Sequence, residues 1–499
     1  MFVMNKKVVR IIEGSVLFLL LVFSYCFEQI PRANGMGWDG IIYGGMMQNF
    51  LFQFLGDGYS AYYIQKSLPF ALINVFDTLF HVSDGYFTLI VFETLSLALA
   101  VVAFYKTSTY LKLSKDAEII AFALLFFTHF ILRIGYSPYK GDPFAFSIGI
   151  WIFYFFVSRQ LWKMLFLSII GAFVWQSIWP ISLVLFVLPQ QGFNIVDGKH
   201  VSQRYGKILS LIKIALSVGL LAIPFKMFLL AEKRYGSYLY FSDVVPYFYF
   251  EISIWTCMVS TICICVLFYL AIRPLSFNVK EFVMHVLKNA RWQYLVIAVL
   301  LYFVMRNVIG LLSNSDSQGS FFSISFLRRL LFEPFTIPLK FFASHVANEG
   351  IMVCFLILLY KPILEFVSEH SVGYIIVFVM SLFFGTQTES RFILNLFPFV
   401  AFPIAVVISR INLKKWVPYL VCVLQLTISM FWYKTNTPSL AQALEVENDV
   451  EYTVSEAQRV LYYSGPWMGK RAYVLFLMVF IVVMTCMFLG KKYSWFTKS

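Results

Sequence analysis

Charged side chains are rare in this chain, and those within its apolar stretches stand out. In "NGMGWDGIIYGG" a single carboxylate, Asp39, follows Trp38 and precedes Gly40, with Tyr43 close behind. Such an Asp can serve as a general base, and the glycines let another molecule approach the backbone. Trp-Asp-Gly is equally good turn chemistry. A second carboxylate, Asp142, lies in "KGDPFAFSIGIW". It could act on a substrate, or it could cap the helix that Pro143 opens. Glu389 and Arg391 stand together in "TESRFILNLFPF". An arginine there can hold a phosphate through paired hydrogen bonds, or it can snorkel to the lipid headgroups. Lys66, in "YYIQKSLP", and Arg306, in "LLYFVMRNVIG", are further cations of this kind. Arg306 lies deepest in an apolar run, where an ionisable residue is a functional candidate, with an ion pair to Glu93 as the structural alternative. Asp57, in "FLGDGYS", reads as a turn residue.

Other chemistries lack their signatures. His81, His129, His200, His285, His345 and His370 are scattered without metal-ligand spacing. There is no phosphate-binding glycine loop and no Gly-x-Ser-x-Gly elbow. The seven cysteines lie inside apolar runs and suggest neither a disulfide framework nor a zinc site; Cys263 and Cys265 read as core residues. Glu13 and Glu93 fall within predicted spans, but two isolated acids make a thin proton relay.

The elements that must position these residues are membrane helices. The chain has 499 residues, of which 60% are hydrophobic and 13% charged. Soluble domains are about a quarter charged. Apolar runs recur from end to end, at about 10–28, 86–105, 117–134, 144–158, 162–175, 177–189, 207–230, 252–272, 293–312, 350–367, 372–385, 392–409, 416–433 and 472–490. The expected fold is therefore an all-α polytopic membrane protein of about fourteen transmembrane segments. The phenylalanine-rich runs specify lipid contact and nothing more. The net charge of +13 does not indicate nucleic-acid binding, because the Lys and Arg residues sit in short loops between the runs.

The stretch "WKMLFLSIIGAFVWQSIWPISLVLFVLP" decides the topology. Read as one helix, it would put the basic loops "DGKHVSQRYGK" and "RPLSFNVKEFVMHVLKNAR" outside. Read as two short helices broken at Trp175–Pro180, it moves both inside, and Pro180 favours the break. Both termini then lie in the cytoplasm, and the first apolar run is a retained helix. Residues 1–499 form one membrane domain with three long outer loops, 29–85, 313–349 and 434–471. The first contains "YSAYYIQKSLPFALINVFDTLF", an expected interfacial helix.

In this order the pieces resemble the GT-C superfamily of integral-membrane glycosyltransferases. "GWDGIIYGGMMQ" resembles the family's first-loop Asp motif, and "YYIQKSLPFALI" the aromatic-Arg-Leu-Pro pattern that follows it. "KGDPFAFSIGIW" is similar to the second acidic loop, and "TESRFILNLFPFVAFP" to the late Glu-x-Arg motif. The short paired helices around Trp175 fit as well. The resemblance implies transfer of a sugar from a polyprenyl phosphate to an acceptor hydroxyl with inversion. It makes Asp39 the general base, and Arg391, with Lys66 and Arg306, the cations for the leaving phosphate. Trp38, Tyr43 and Glu389 would line the substrate. Asp142 would orient the acceptor or help hold a divalent cation, although no spacing points to a metal. Lys66 departs from the family's usual arginine. The large soluble domain of oligosaccharyltransferases is missing, which favours a lipid-linked or glycan acceptor over a protein. The implied setting is the bacterial inner membrane, with the site on its outer face. Two other readings stay open: a polysaccharide polymerase or ligase of the Wzy or O-antigen-ligase type, and a non-enzymatic lipid or solute transporter.

Overall fold

The computed structural model describes residues 5–26, 29, 36, 39–196, 203–219, 254–314, 330, 333–432, 465, 468–492 and 496–498. Trp38, His200, the end of the 207–230 run and nearly all of the expected third outer loop, 434–471, lie outside them.

The described chain is overwhelmingly helical, as an apolar chain in lipid must be to satisfy its backbone. Six helices are long and apolar enough to cross a membrane, beginning with α1 (Lys6–Tyr25). Six more are apolar but shorter. The chain is an integral membrane protein.

The described part of the segment expected as the first outer loop is largely helical. It forms α2 (Gly40–Leu55), kinked at Asn49, then α3 (Ala61–Ile64) and α4 (Leu68–Phe80). The glycine-flanked Asp39 is thus not in a flexible loop but immediately precedes a helix. Asp84 then caps α5 (Gly85–Tyr110) by accepting from the Tyr86 and Phe87 amides. The run expected at 117–134 is broken: α6 (Lys115–Phe126) stops at Phe127, and a short α7 (His129–Leu132) and a 3-10 turn follow. Next comes α8 (Asp142–Val157). The run at 350–367 is likewise split, at Leu359.

The break in the decisive stretch is present. Helix α9 (Leu161–Gly171) ends, Ala172–Ser177 turn, and α10 (Ile178–Val187) begins. Pro180 falls in the first turn of α10, where its missing N–H costs nothing. The break therefore lies a few residues earlier than expected.

The core overturns the expectation that phenylalanines only face lipid. Phe104, Phe126, Phe146 and Phe153 are completely buried. Phe153 stacks on Phe402 at 4.9 Å, and Phe104 stands edge-on to Phe126 at 5.7 Å. These rings join α5, α6, α8 and the helix Phe397–Ser409 into one interior. Glycines set the closest approaches. A methyl group on Gly149 of α8 would meet the Asn395 backbone at 2.5 Å. One on Gly135 would meet the Ser24 carbonyl at 2.4 Å. Cys263 and Cys265 are only partly buried, so they are not core residues.

Candidate functional site

Asp39 occupies the N-cap position of α2, but its side chain makes no capping hydrogen bond. The carboxylate is 32% exposed and faces Arg391, with Nη2 to Oδ2 at 3.7 Å. Gly40 makes this position accessible, because a methyl there would lie 2.8 Å from Tyr139 Cβ and 3.2 Å from the Tyr139 carbonyl oxygen. The start of α2 therefore rests directly on the connector leading to α8. Tyr43, one turn on, is buried and stacks on Phe70 at 4.5 Å, forming a fixed wall.

Lys66 arrives from the turn between α3 and α4. The Leu68 amide donates to the Phe173 carbonyl at 3.0 Å and pins this turn to the break between α9 and α10. The break supplies Trp175. The Lys66 ammonium donates to the Tyr62 hydroxyl at 2.5 Å and lies 4.7 Å from the Trp175 ring centroid. Only 3% of Lys66 is exposed. Burial pushes its pKa down to about 7, and Arg391 acts in the same direction, against the opposing pull of Asp39, Asp142 and Glu389.

Asp142 is the first residue of α8. Gly141 takes the N-cap position, so the expected capping role of Asp142 is not observed. Asp142 is buried, and its side chain makes no described hydrogen bond. Two residues earlier stands Lys140, which burial discourages from charging and which Asp142, Asp39 and Glu389 favour as a cation. Sequence reasoning passed over Lys140. Its signal was its place two residues before a candidate acid, in a loop too short to carry it far from that acid.

Arg391 lies on the 3-10 run Ser390–Leu396, which precedes the helix opened by Pro398. Its Nε donates to Glu389 at 2.5 Å. The close Gly149–Asn395 contact fixes this run against α8, and Ser177 donates to Asn395 at 2.9 Å. Beneath it lies a second buried layer. Ser390 Oγ is 2.8 Å from His345 Nδ1, and Ser344 donates to the Thr388 carbonyl at 2.5 Å. His345 Nδ1 also meets Glu349 at 2.7 Å, while Nε2 reaches the Gly385 carbonyl at 2.7 Å. Desolvation works against the imidazolium, but Glu349 and the carbonyl acceptors outweigh it and raise the His345 pKa. His345 had been set aside as one of several scattered histidines. The spacing in "SHVANE", with His and Glu four apart on one helix, was the available signal.

Asp39, Lys66, Asp142, Glu389 and Arg391, far apart in sequence, thus gather within one electrostatic neighbourhood. Arg306 does not join them. It is exposed on the helix Trp292–Leu312, and it makes no pair with Glu93, which accepts from Tyr25 at 2.7 Å. Asp57 is an exposed turn residue, as expected. Among the described residues, no three His, Cys, Asp or Glu side chains converge into a metal-binding set. Asp39 faces an arginine and Asp142 stands near a lysine, so this donor set does not fit a divalent cation. No family model, curated protein or solved structure matches the chain.

Proposed function

We propose that this chain is a membrane glycosyltransferase of the GT-C type. It moves a sugar from a polyprenyl-phosphate donor to a lipid-linked or glycan acceptor on the outer face of the bacterial inner membrane. In this reading the bundle has about fourteen spanning segments, interfacial helices in its first outer loop, and both termini in the cytoplasm.

The observation that carries the reading is the loose Asp39–Arg391 pair at 3.7 Å, with Lys66, Lys140 and Asp142 drawn in around it. A purely structural ion pair gains from close contact and full burial, and this one is long, with 24% of Arg391 and 32% of Asp39 still exposed. An acceptor hydroxyl entering beside Asp39 would lose its proton to that carboxylate as its oxygen attacks the sugar's anomeric carbon. The bond from that carbon to the phosphate oxygen breaks, and its electron pair stays on the phosphate. The adjacent cations stabilise the charge that develops there. Attack from the face opposite the leaving phosphate inverts the anomeric centre. Asp142 orients the acceptor, while Tyr43 and Glu389 line the pocket.

The test uses the full chain in detergent or nanodiscs, supplied with a panel of polyprenyl-phosphate sugars and candidate acceptors. Mass spectrometry follows release of free polyprenyl phosphate and growth of the acceptor. Wild type should release it, and Asp39→Asn should keep the donor while failing to transfer the sugar. Transfer undiminished in Asp39→Asn would remove the assigned base. Failure to bind any polyprenyl phosphate would remove the class and return the chain to the transporter reading.

A further inference from the structure

Three acids and three cations share the site: Asp39, Asp142 and Glu389 with Lys66, Lys140 and Arg391, with Lys140 placed there by its neighbour Tyr139, which rests against Gly40 beside Asp39. Formal charge is balanced, so only the contacts reveal which cation is free to meet an incoming anion. Arg391 is not free. Glu389 holds its Nε at 2.5 Å, and Asp39 faces its Nη2 at 3.7 Å, so one guanidinium already serves two carboxylates. Lys66 is enclosed, with its ammonium on the Tyr62 hydroxyl and beneath the Trp175 ring. Lys140 differs from both. It is partly exposed, and its side chain makes neither a hydrogen bond nor an ion pair among the described residues.

Resting on the transferase reading above, the geometry points to Lys140 as the side chain that takes the donor's phosphate, with Arg391 as a positioning residue that holds Asp39 and Glu389. An unpartnered ammonium beside an acid cluster has all its N–H groups available. Burial lowers its pKa overall, against the pull of Asp142, Asp39 and Glu389 toward the charged form, and none of these takes its N–H groups, so a phosphate oxyanion is the partner its chemistry lacks. Being partly exposed, it can be reached, as Lys66 cannot.

The experiment titrates purified full-length protein with polyprenyl monophosphate and reads bound lipid by native mass spectrometry. Lys140→Ala should weaken binding roughly ten- to hundredfold, the loss expected for a hydrogen-bonded charge, and Lys140→Arg should restore most of it. Equal melting temperatures for the two variants show that the fold is retained. If Lys140→Ala melts early, Lys140→Gln replaces it. Binding that is unchanged in Lys140→Ala overturns this assignment and leaves the transferase reading intact. A wild type that binds no polyprenyl monophosphate overturns both. Displacement of the probe by phosphatidylglycerol or inorganic phosphate at equal concentration overturns the assignment to a donor, because the site would then take any phosphate.

Discussion

Two charged clusters lie toward opposite ends of α5, and they are built on opposite plans. Tyr86, near the start of the helix, packs against Tyr139 beside the candidate site. Ser108, near its end and about 33 Å further along, donates to Glu118. Glu118 itself is closed on both carboxylate oxygens. Arg10 donates to both its oxygens at 2.8 Å, Lys6 reaches it at 3.0 Å, and only 1% of its side chain is exposed. Nearby, Tyr105 donates to Glu13 at 2.8 Å. This cluster fastens α1 to α5 and α6. At the other end the Asp39–Arg391 pair is looser, at 3.7 Å, and Lys140 and Asp142 make no side-chain hydrogen bond or ion pair among the described residues. Both clusters cost desolvation energy, and the closed one recovers it from within the protein, whereas in the open one Lys140 and Asp142 recover none from a direct partner among the described residues. Charges left open near the surface are what a ligand requires. How completely a charge is partnered, more than how deeply it is buried, separates a fastening from a site here.

The sharpest way to break this contrast is to mutate each cluster and read both activity and stability. Asp39→Asn should lower initial rates of transfer about 10²- to 10⁴-fold, the usual contribution of a general base. Its melting temperature should barely move, because a loose and partly exposed pair contributes little. Glu118→Ala should do the reverse. Removing it strands Lys6 and Arg10 and costs about 2–3 kcal/mol, less than a fully buried pair because both cations are partly exposed. Thermal melting in detergent measures this, and transfer rates per folded molecule should stay near wild type. If the two variants lost activity equally, the contrast between site and fastening would fail.

The all-α, membrane-embedded character was legible in the sequence because the membrane imposes it. Apolar runs must be helices, and Pro180 must open a helix rather than interrupt one. The candidate site was legible because charge is scarce: Asp39, Lys66, Asp142, Glu389 and Arg391 stood out for lack of competitors. What sequence could not supply was partnership. Arg306 looked as promising as Arg391 until its helix turned it outward, because spacing along a helix does not say which way the helix faces its neighbours. Lys140 and His345 were overlooked for the same reason, since their interest lies in what they do or do not touch. The phenylalanine core was misjudged because a helix buried among helices and one facing lipid have the same composition.

Lys66 sharpens the comparison through pH, since it is enclosed at the open cluster without a carboxylate of its own. Its folded pKa lies at about 7, below the ordinary 10.5. Between those values the unfolded chain carries a proton that the fold does not. Stability therefore rises with pH across that window, by about 1.4 kcal/mol per unit from this one group. Below about 7 both states are protonated and its contribution to the slope vanishes. Melting temperatures from pH 6 to 9 should show the rise in wild type and a flatter curve in Lys66→Met. An unchanged curve would mean that water reaches the ammonium and that Lys66 is not enclosed.

The smallest effect tests whether the open cluster depends on how closely its two loops approach. In Gly40→Ala the new methyl would lie 2.8 Å from Tyr139 Cβ and 3.2 Å from the Tyr139 carbonyl oxygen. Neither atom can swing away by a rotamer change, so α2 must move off the connector that carries Lys140. Overpacking of this kind costs about 1 kcal/mol or a little more. The displacement carries Asp39 away from Lys140 and Asp142, so transfer should fall several-fold while donor binding changes less. Gly14→Ala is the matched control: that glycine lies in α1, and a methyl there meets nothing within 4 Å. Alanine is the better helix former, by about 1 kcal/mol, so Gly14→Ala should be neutral or mildly stabilising with transfer unchanged. If Gly40→Ala behaved like Gly14→Ala, the contact between the two loops would not position Asp39, and the pairing with Arg391 would have to do so alone.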